Sequence, residues 1–186
     1  MLKNVVYKDA DKIYTLLSED RGKITGIAKG VRKVSSRRSG NLDSLNVVEV
    51  HLNSHISGQN YITEVKTLKS FRGIKDNLER SQQAYYMAEL INRFLHEDEQ
   101  VQPIFLLLVE SLERLESVKV NLSLTVNRFE LKLLQLLGYQ PPVKLIGKWR
   151  ENIKQGNLKK ADSLVKDFIG EILQEDIKSL ELGWER

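Results

Sequence analysis

The feature that most constrains this chain is a change in the period of its apolar residues near position 70. Before it, apolar side chains recur at every second residue, as in strands with one buried face. After it they recur every three or four residues, as in helices packed along one stripe. Strands gathered first and helices afterwards exclude alternating βαβ units and predict an α+β fold. No internal repeat interrupts this order. At 186 residues and 41% apolar content the chain can bury a substantial core.

In the first part, "KIYTLLS" sets Ile13, Thr15 and Leu17 on one side, Gly22 supports a turn, and "KITGIAKG" returns as the second arm of a hairpin. Leu45 to Leu52 and Tyr61 to Leu68 predict two further strands around the polar turn "NSHISGQN", and Met1 to Val6 a short first one. Four or five antiparallel strands in so short a stretch predict a small closed barrel, since closure removes exposed edges. In the second part, Leu78, Tyr85, Ala88, Ile91 and Leu95 form one predicted inward stripe. "PIFLLLVESLERLES" follows, with Pro103 in its first turn and Leu108, Leu112 and Leu115 facing inward. A third helix over Leu122 to Leu137 is ended by Gly138, Pro141 and Pro142. A fourth, Leu158 to Leu173, carries Ala161, Val165, Phe168 and Ile172. Arg32 to Asn41 and Tyr139 to Gly156 read as linkers.

Charge is informative by its placement. The net charge is +4, yet residues 21–38, "RGKITGIAKGVRKVSSRR", hold seven cations and no carboxylate, so the rest of the chain is net negative. A solvated face normally mixes signs, because uncompensated cations repel one another. Arg21, Lys23, Lys29, Arg32, Lys33, Arg37 and Arg38 are therefore expected to converge on one rim of the barrel and meet a polyanion. For nucleic acid the chemistry is phosphate neutralisation and counterion release, indifferent to base identity. Tyr7, Tyr14 and Tyr61 are candidate stacking platforms for bases of single strands.

Catalytic signatures fail one by one. The chain has no cysteine, which excludes disulfides, thiolate zinc sites and cysteine nucleophiles and suits a reducing cytosol. Gly22-Lys23 is followed by isoleucine, with no glycine five positions upstream, so no P-loop is formed. His51, His55 and His96 give no metal-binding spacing, and the acidic run "HEDEQ" reads as a solvated turn. No apolar run approaches the roughly 20 residues that span a bilayer, and the start lacks a signal-peptide pattern. The expectation is a soluble cytoplasmic protein that is not an enzyme and uses neither cofactor nor metal.

Four blocks, "DADKIYTLLSEDRGKITGIAKGVRK", "SSRRSGNLDSLNVVEVHL", "AYYMAELINRFL" and "RFELKLLQLLGYQP", cover most of residues 7 to 142 in order. Together they closely resemble the bacterial DNA repair family RecO, whose members are recombination mediators. "DIKSLELG" is similar to a degenerate form of that family's closing lysine-serine motif, at Lys178 and Ser179, with Leu180 where an arginine usually follows. The resemblance implies an OB-fold over residues 1–72 and a helical domain over 73–186. It implies a protein associated with the nucleoid that binds single- and double-stranded DNA and anneals complementary strands without ATP hydrolysis. It also implies work with RecR in helping RecA displace single-strand binding protein (SSB). Position by position, the family's basic barrel surface falls on the same seven cations, and Arg128 matches an arginine linked to docking the acidic C-terminal tail of SSB.

Two departures stand out. The cysteine-bearing zinc element common in the family is replaced by the shorter "QPPVKLIGKWRENIKQGN", so helix packing alone, anchored by Trp149 and Trp184, is expected to hold the second half. The start is short, which implies a barrel open along one edge. Two other readings of the residues stay open: a scaffold whose basic loop grips acidic peptides, and an OB-fold RNA binder.

Overall fold

The computed structural model describes residues 1–34, 36, 38–55, 58–96, 102–117 and 119–173. Five strands, β1 (Lys3–Val6), β2 (Lys12–Ser18), β3 (Gly22–Ala28), β4 (Val47–Ser54) and β5 (Asn60–Lys69), form one sheet in the order β1-β2-β3-β5-β4. A single turn of helix, α1 (Arg38–Asn41), lies between β3 and β4. The rest is helical: α2 (Arg72–Lys75), α3 (Leu78–Phe94), α4 (Gln102–Glu116), α5 (Leu122–Leu136), α6 (Val143–Lys154) and α7 (Leu158–Leu173).

The sheet corrects the expected closed antiparallel OB barrel in two respects. It is mixed, because β5 rather than β4 docks beside β3 and runs parallel to it, Ile27 facing Tyr61. It is also open. Among the described residues the edge strands β1 and β4 each pair with one neighbour, β2 and β5. A period of two identifies strands and their buried faces but says nothing of whether the last edge meets the first. Here β1 is only four residues long, and Met1 N donates to Asn46 O just ahead of β4 at 3.1 Å without starting a ladder. Apolar surface that closure would bury is covered by helices: Leu2, Leu17 and Leu45 belong to the same core as Phe71, Ile74, Ile91 and Leu112. A cleft of about 1180 Å³ separates β4 from β2 and the first turns of α4.

A second core lies within the sheet itself, around Tyr14, Leu16, Ile24, Ala28 and Ile62. It is capped by Val31 and Leu42, 2% and 3% exposed, so the segment read as a linker is a strap anchored at both ends. Gly26 makes this packing possible. A Cβ there would sit 2.9 Å from Ile62 Cγ1, closer than packed carbons approach.

The helices begin and end as their residues dictate. Asn77 and Asn121 cap α3 and α5 by accepting from Arg80 N and Leu124 N, each at 3.0 Å. Gly138, at φ +86°, closes α5 with Tyr139 N donating to Leu134 O at 2.9 Å. Two expectations are corrected here. The inward stripe of α3 is centred on Ala84, Met87, Ala88 and Ile91, which turns Leu78 and Tyr85 outward at 68% and 45% exposure. Residues 143–154, read as linker, form α6.

Four of these helices meet at a buried polar cluster. Glu130 of α5 has no exposed surface and accepts from Tyr86 Oη of α3 at 2.5 Å and from Asn127 Nδ2 at 3.0 Å. Asn127 also donates to Asp162 of α7 at 3.0 Å and accepts from Trp149 Nε1 of α6 at 3.1 Å. Lys166 pairs with Asp162 at 2.7 Å and lies 5.4 Å from the centre of the Tyr86 ring. Trp149 thus ties α6 to the helical body; Trp184 lies outside the described residues.

Candidate nucleic-acid interface

The predicted cations do not converge on one rim. They divide between the two ends of β3, and six residues of extended chain from Lys23 to Lys29 separate the groups by about 20 Å. At the first end, Lys23 Nζ donates to the carbonyl of Asn92 in α3 at 2.9 Å and so anchors the sheet to the helices. Arg21, exposed in the β2–β3 turn, borders the large cleft beside Glu19 and Asp20.

The second end gathers Lys29, Arg32, Lys33 and Arg38. Backbone bonds set the strap's course: Gly30, at φ +67°, donates to Asp11 Oδ1 at 2.8 Å, and Arg32 N donates to Ala10 O at 3.0 Å. Arg38 is a brace as well as a charge. Its Nη1 donates to Ile62 O at 2.8 Å and its Nη2 to Lys29 O at 2.7 Å, which uses the planar fork of a guanidinium on two carbonyls at once. Arg32 Nη1 donates to Asp9 O at 2.8 Å, whereas Lys33 is simply exposed. These partners are neutral carbonyls, and among the described residues neither guanidinium is paired with a carboxylate. Arg37 lies outside the described residues.

The parallel pairing of β3 and β5 brings Tyr61 to this end. Lys29 Nζ stands 4.5 Å over its ring centre, and the His55 ring meets it edge-on with centroids 6.4 Å apart. Together with Arg38, Asn53 and Thr63 these residues line a hollow of about 540 Å³. On the other side of the strap, Lys12, Arg32 and Lys33 border a smaller hollow of about 400 Å³. Of the other candidate platforms, Tyr7 is 38% exposed beside Lys8, whereas Tyr14 is 2% exposed. Tyr14 is therefore corrected from platform to core. It lies on the buried face of its strand, and burial raises its hydroxyl pKa.

Arg128, exposed on α5, borders a groove of about 510 Å³ between α4 and α5. Arg114 and Lys132 stand along the same groove, whose lining includes Leu107, Phe129 and Leu136. Sequence reasoning singled out Arg128 but not these two neighbours, although Arg128 and Lys132 are four apart on one helical face. Among the described residues no three His, Asp or Glu gather as metal ligands would, and no helix is long and apolar enough to cross a membrane.

Fold and site together define a two-part protein: a sheet presenting fixed positive charge beside an aromatic ring, carried on a helical body. Residues 1–71 match the family model for the recombination protein O N-terminal region, and residues 75–144 match that for the C-terminal region. The DNA repair protein RecO of Thermoanaerobacter sp. (strain X514) is 31% identical over 159 residues, 83% of this chain and 62% of that protein. That of Dehalococcoides mccartyi is 36% identical over 136 residues, covering 73% and 53%. That of Caldanaerobacter subterraneus subsp. tengcongensis is 34% identical over 146 residues, covering 76% and 57%. The chain belongs to the RecO family. It spans between 53% and 62% of the length of these relatives.

Proposed function

We propose that this protein is a DNA-binding recombination mediator in DNA repair. The observation that carries the reading is the cation set at the end of β3. Arg32 and Arg38 are fixed by main-chain acceptors, Lys29 is held over Tyr61, and among the described residues no carboxylate is paired with either guanidinium. Charges fixed this way meet a phosphate backbone without first being ordered, which lowers the entropic cost of binding. The backbone of single- or double-stranded DNA is neutralised here with little regard to sequence, and Tyr61 offers a face to an unstacked base.

In this reading the sheet, residues 1–72, grips DNA, and the helical part, residues 73–186, recruits partners. RecR is one of them. The α4–α5 groove, with Arg114, Arg128 and Lys132 along an apolar floor, suits the acidic tail of SSB, and release of SSB lets RecA load. Strand annealing follows from gripping single strands, and none of these steps requires a catalytic centre.

Salt titration of single-stranded DNA binding tests the grip. In a Lys29→Glu/Arg32→Glu/Lys33→Glu variant the log-log slope is expected to fall by about 0.7 for each phosphate no longer neutralised. An unchanged slope removes the end of β3 from the mechanism. A preference for RNA over DNA of the same length would indicate an RNA-binding role instead. Complete competition between an SSB-tail peptide and DNA for the sheet would indicate an acidic-peptide scaffold.

A further inference from the structure

The α6–α7 hairpin carries a second concentration of positive charge. From Val143 to Lys160 the chain has six cations, Lys144, Lys148, Arg150, Lys154, Lys159 and Lys160, and one carboxylate, Glu151. All six are exposed. None makes a side-chain hydrogen bond or ion pair with another described residue, and Glu151 is engaged by Gln155 Nε2 at 3.2 Å. Six cations on so short a helical hairpin repel one another, so folding stability does not account for them.

Their arrangement on α6 is specific. At 3.6 residues per turn, Leu145, Trp149 and Ile153 share the half-buried side packed on the helical body. The opposite side is bounded by Lys144 and Lys148 along one flank and by Arg150 and Lys154 along the other. Gly147 lies between the two rows. A glycine inside a helix costs about 1 kcal/mol relative to alanine. No packing demands it, since a Cβ there would meet nothing within 4 Å. What the glycine provides is one gap of bare backbone between the rows of cations, where a polyanionic chain can lie close; Glu151, one turn further along the same strip, is engaged by Gln155.

The chemistry selects the occupant. A membrane-surface helix needs an exposed apolar face, but here Val143 is the one large apolar residue fully turned outward, and Trp149 is held through Nε1 by Asn127. An acidic peptide needs a groove with apolar anchors, and these side chains line none of the hollows described above. A flexible phosphate chain needs only spaced cations and access. The hairpin is also apart from the first site: the sheet rests on α3 and α4, whereas α7 rests on α5 and α6 on α7.

We propose that the exposed face of the α6–α7 hairpin is a second phosphate-backbone surface, through which one molecule holds a second polynucleotide strand while the end of β3 holds the first. The bridging, though not the hairpin surface itself, rests on the function proposed above. Two strands held on one small body experience a high effective concentration of each other, which favours their meeting.

The test uses the full chain and oligodeoxythymidylate, which cannot pair with itself. One strand is fixed to beads, protein is added, and capture of a labelled second strand is measured. The hairpin variant Lys144→Glu/Lys148→Glu/Arg150→Glu/Lys154→Glu is expected to bind the first strand, lose second-strand capture at least tenfold, and lower the salt slope by up to about 2.8. The variant at the end of β3 is expected to retain binding through the hairpin, and the combined variant to bind neither strand. Capture by the hairpin variant equal to the parent's, at unchanged slope, overturns the proposal. So does preference of the hairpin for phosphatidylglycerol vesicles over DNA. Loss of binding in the hairpin variant alone, with the β3 variant behaving as the parent, sinks the reading of the sheet end and leaves the hairpin standing. Far-UV circular dichroism controls for folding, and a Lys/Arg→Gln series replaces the reversal where helix content falls.

Discussion

Glu130 has no exposed surface, and that burial governs how the helical half responds to pH. Loss of solvent raises its carboxyl pKa to about 7, against the lowering influence of hydrogen bonds from Tyr86 and Asn127 and of the nearby Lys166; the negative Asp162 reinforces the rise. The folded chain therefore holds a proton that the unfolded chain releases at its ordinary value near 4.5. Stability contributed by this group is complete below about pH 4.5 and declines as pH rises through 7. Glu130→Gln, which resembles the protonated form, is expected to flatten this window in chemical denaturation at a series of pH values. A variant as pH-sensitive as the parent would place the titration elsewhere. Single residues were unevenly legible. The cations of 21–38 are visible as letters, but that Lys23 would turn to the Asn92 carbonyl, or Arg38 brace two carbonyls, depends on neighbours distant in the chain.

At the scale of elements, apolar period and breakers carried most of the information. β2, β3, α5 and α7 fall where alternation, Gly138 and the proline pair place them. α6 escaped because Gly147, four cations and the preceding prolines gave its segment a linker's composition, although Leu145, Trp149 and Ile153 keep a helical spacing. Gly26 shows the reverse case, a residue whose reason appears only in the packed sheet. Gly26→Val would drive a branched side chain into Ile62 and is expected to cost about 1–3 kcal/mol or more, read as a lower urea midpoint. A midpoint equal to the parent's would mean that the strands part without penalty.

Across the whole molecule, sheet and helices share a core, since Leu2, Leu17 and Leu45 pack with Phe71, Ile91 and Leu112. The chain is therefore expected to unfold in one cooperative transition. Leu17→Ala, on the sheet, should lower the melting of helix and strand signals together, by about 2–5 kcal/mol in stability. Separate shifts would show two independent units. By itself the sequence determined the class of fold, strands first and helices after, and the clustering of charge, because both depend on the order of residues along the chain. Tertiary structure alone decided that β5 lies parallel to β3 and which cations share a surface. Each of those depends on which distant segments cover the same apolar face, and no local period records that.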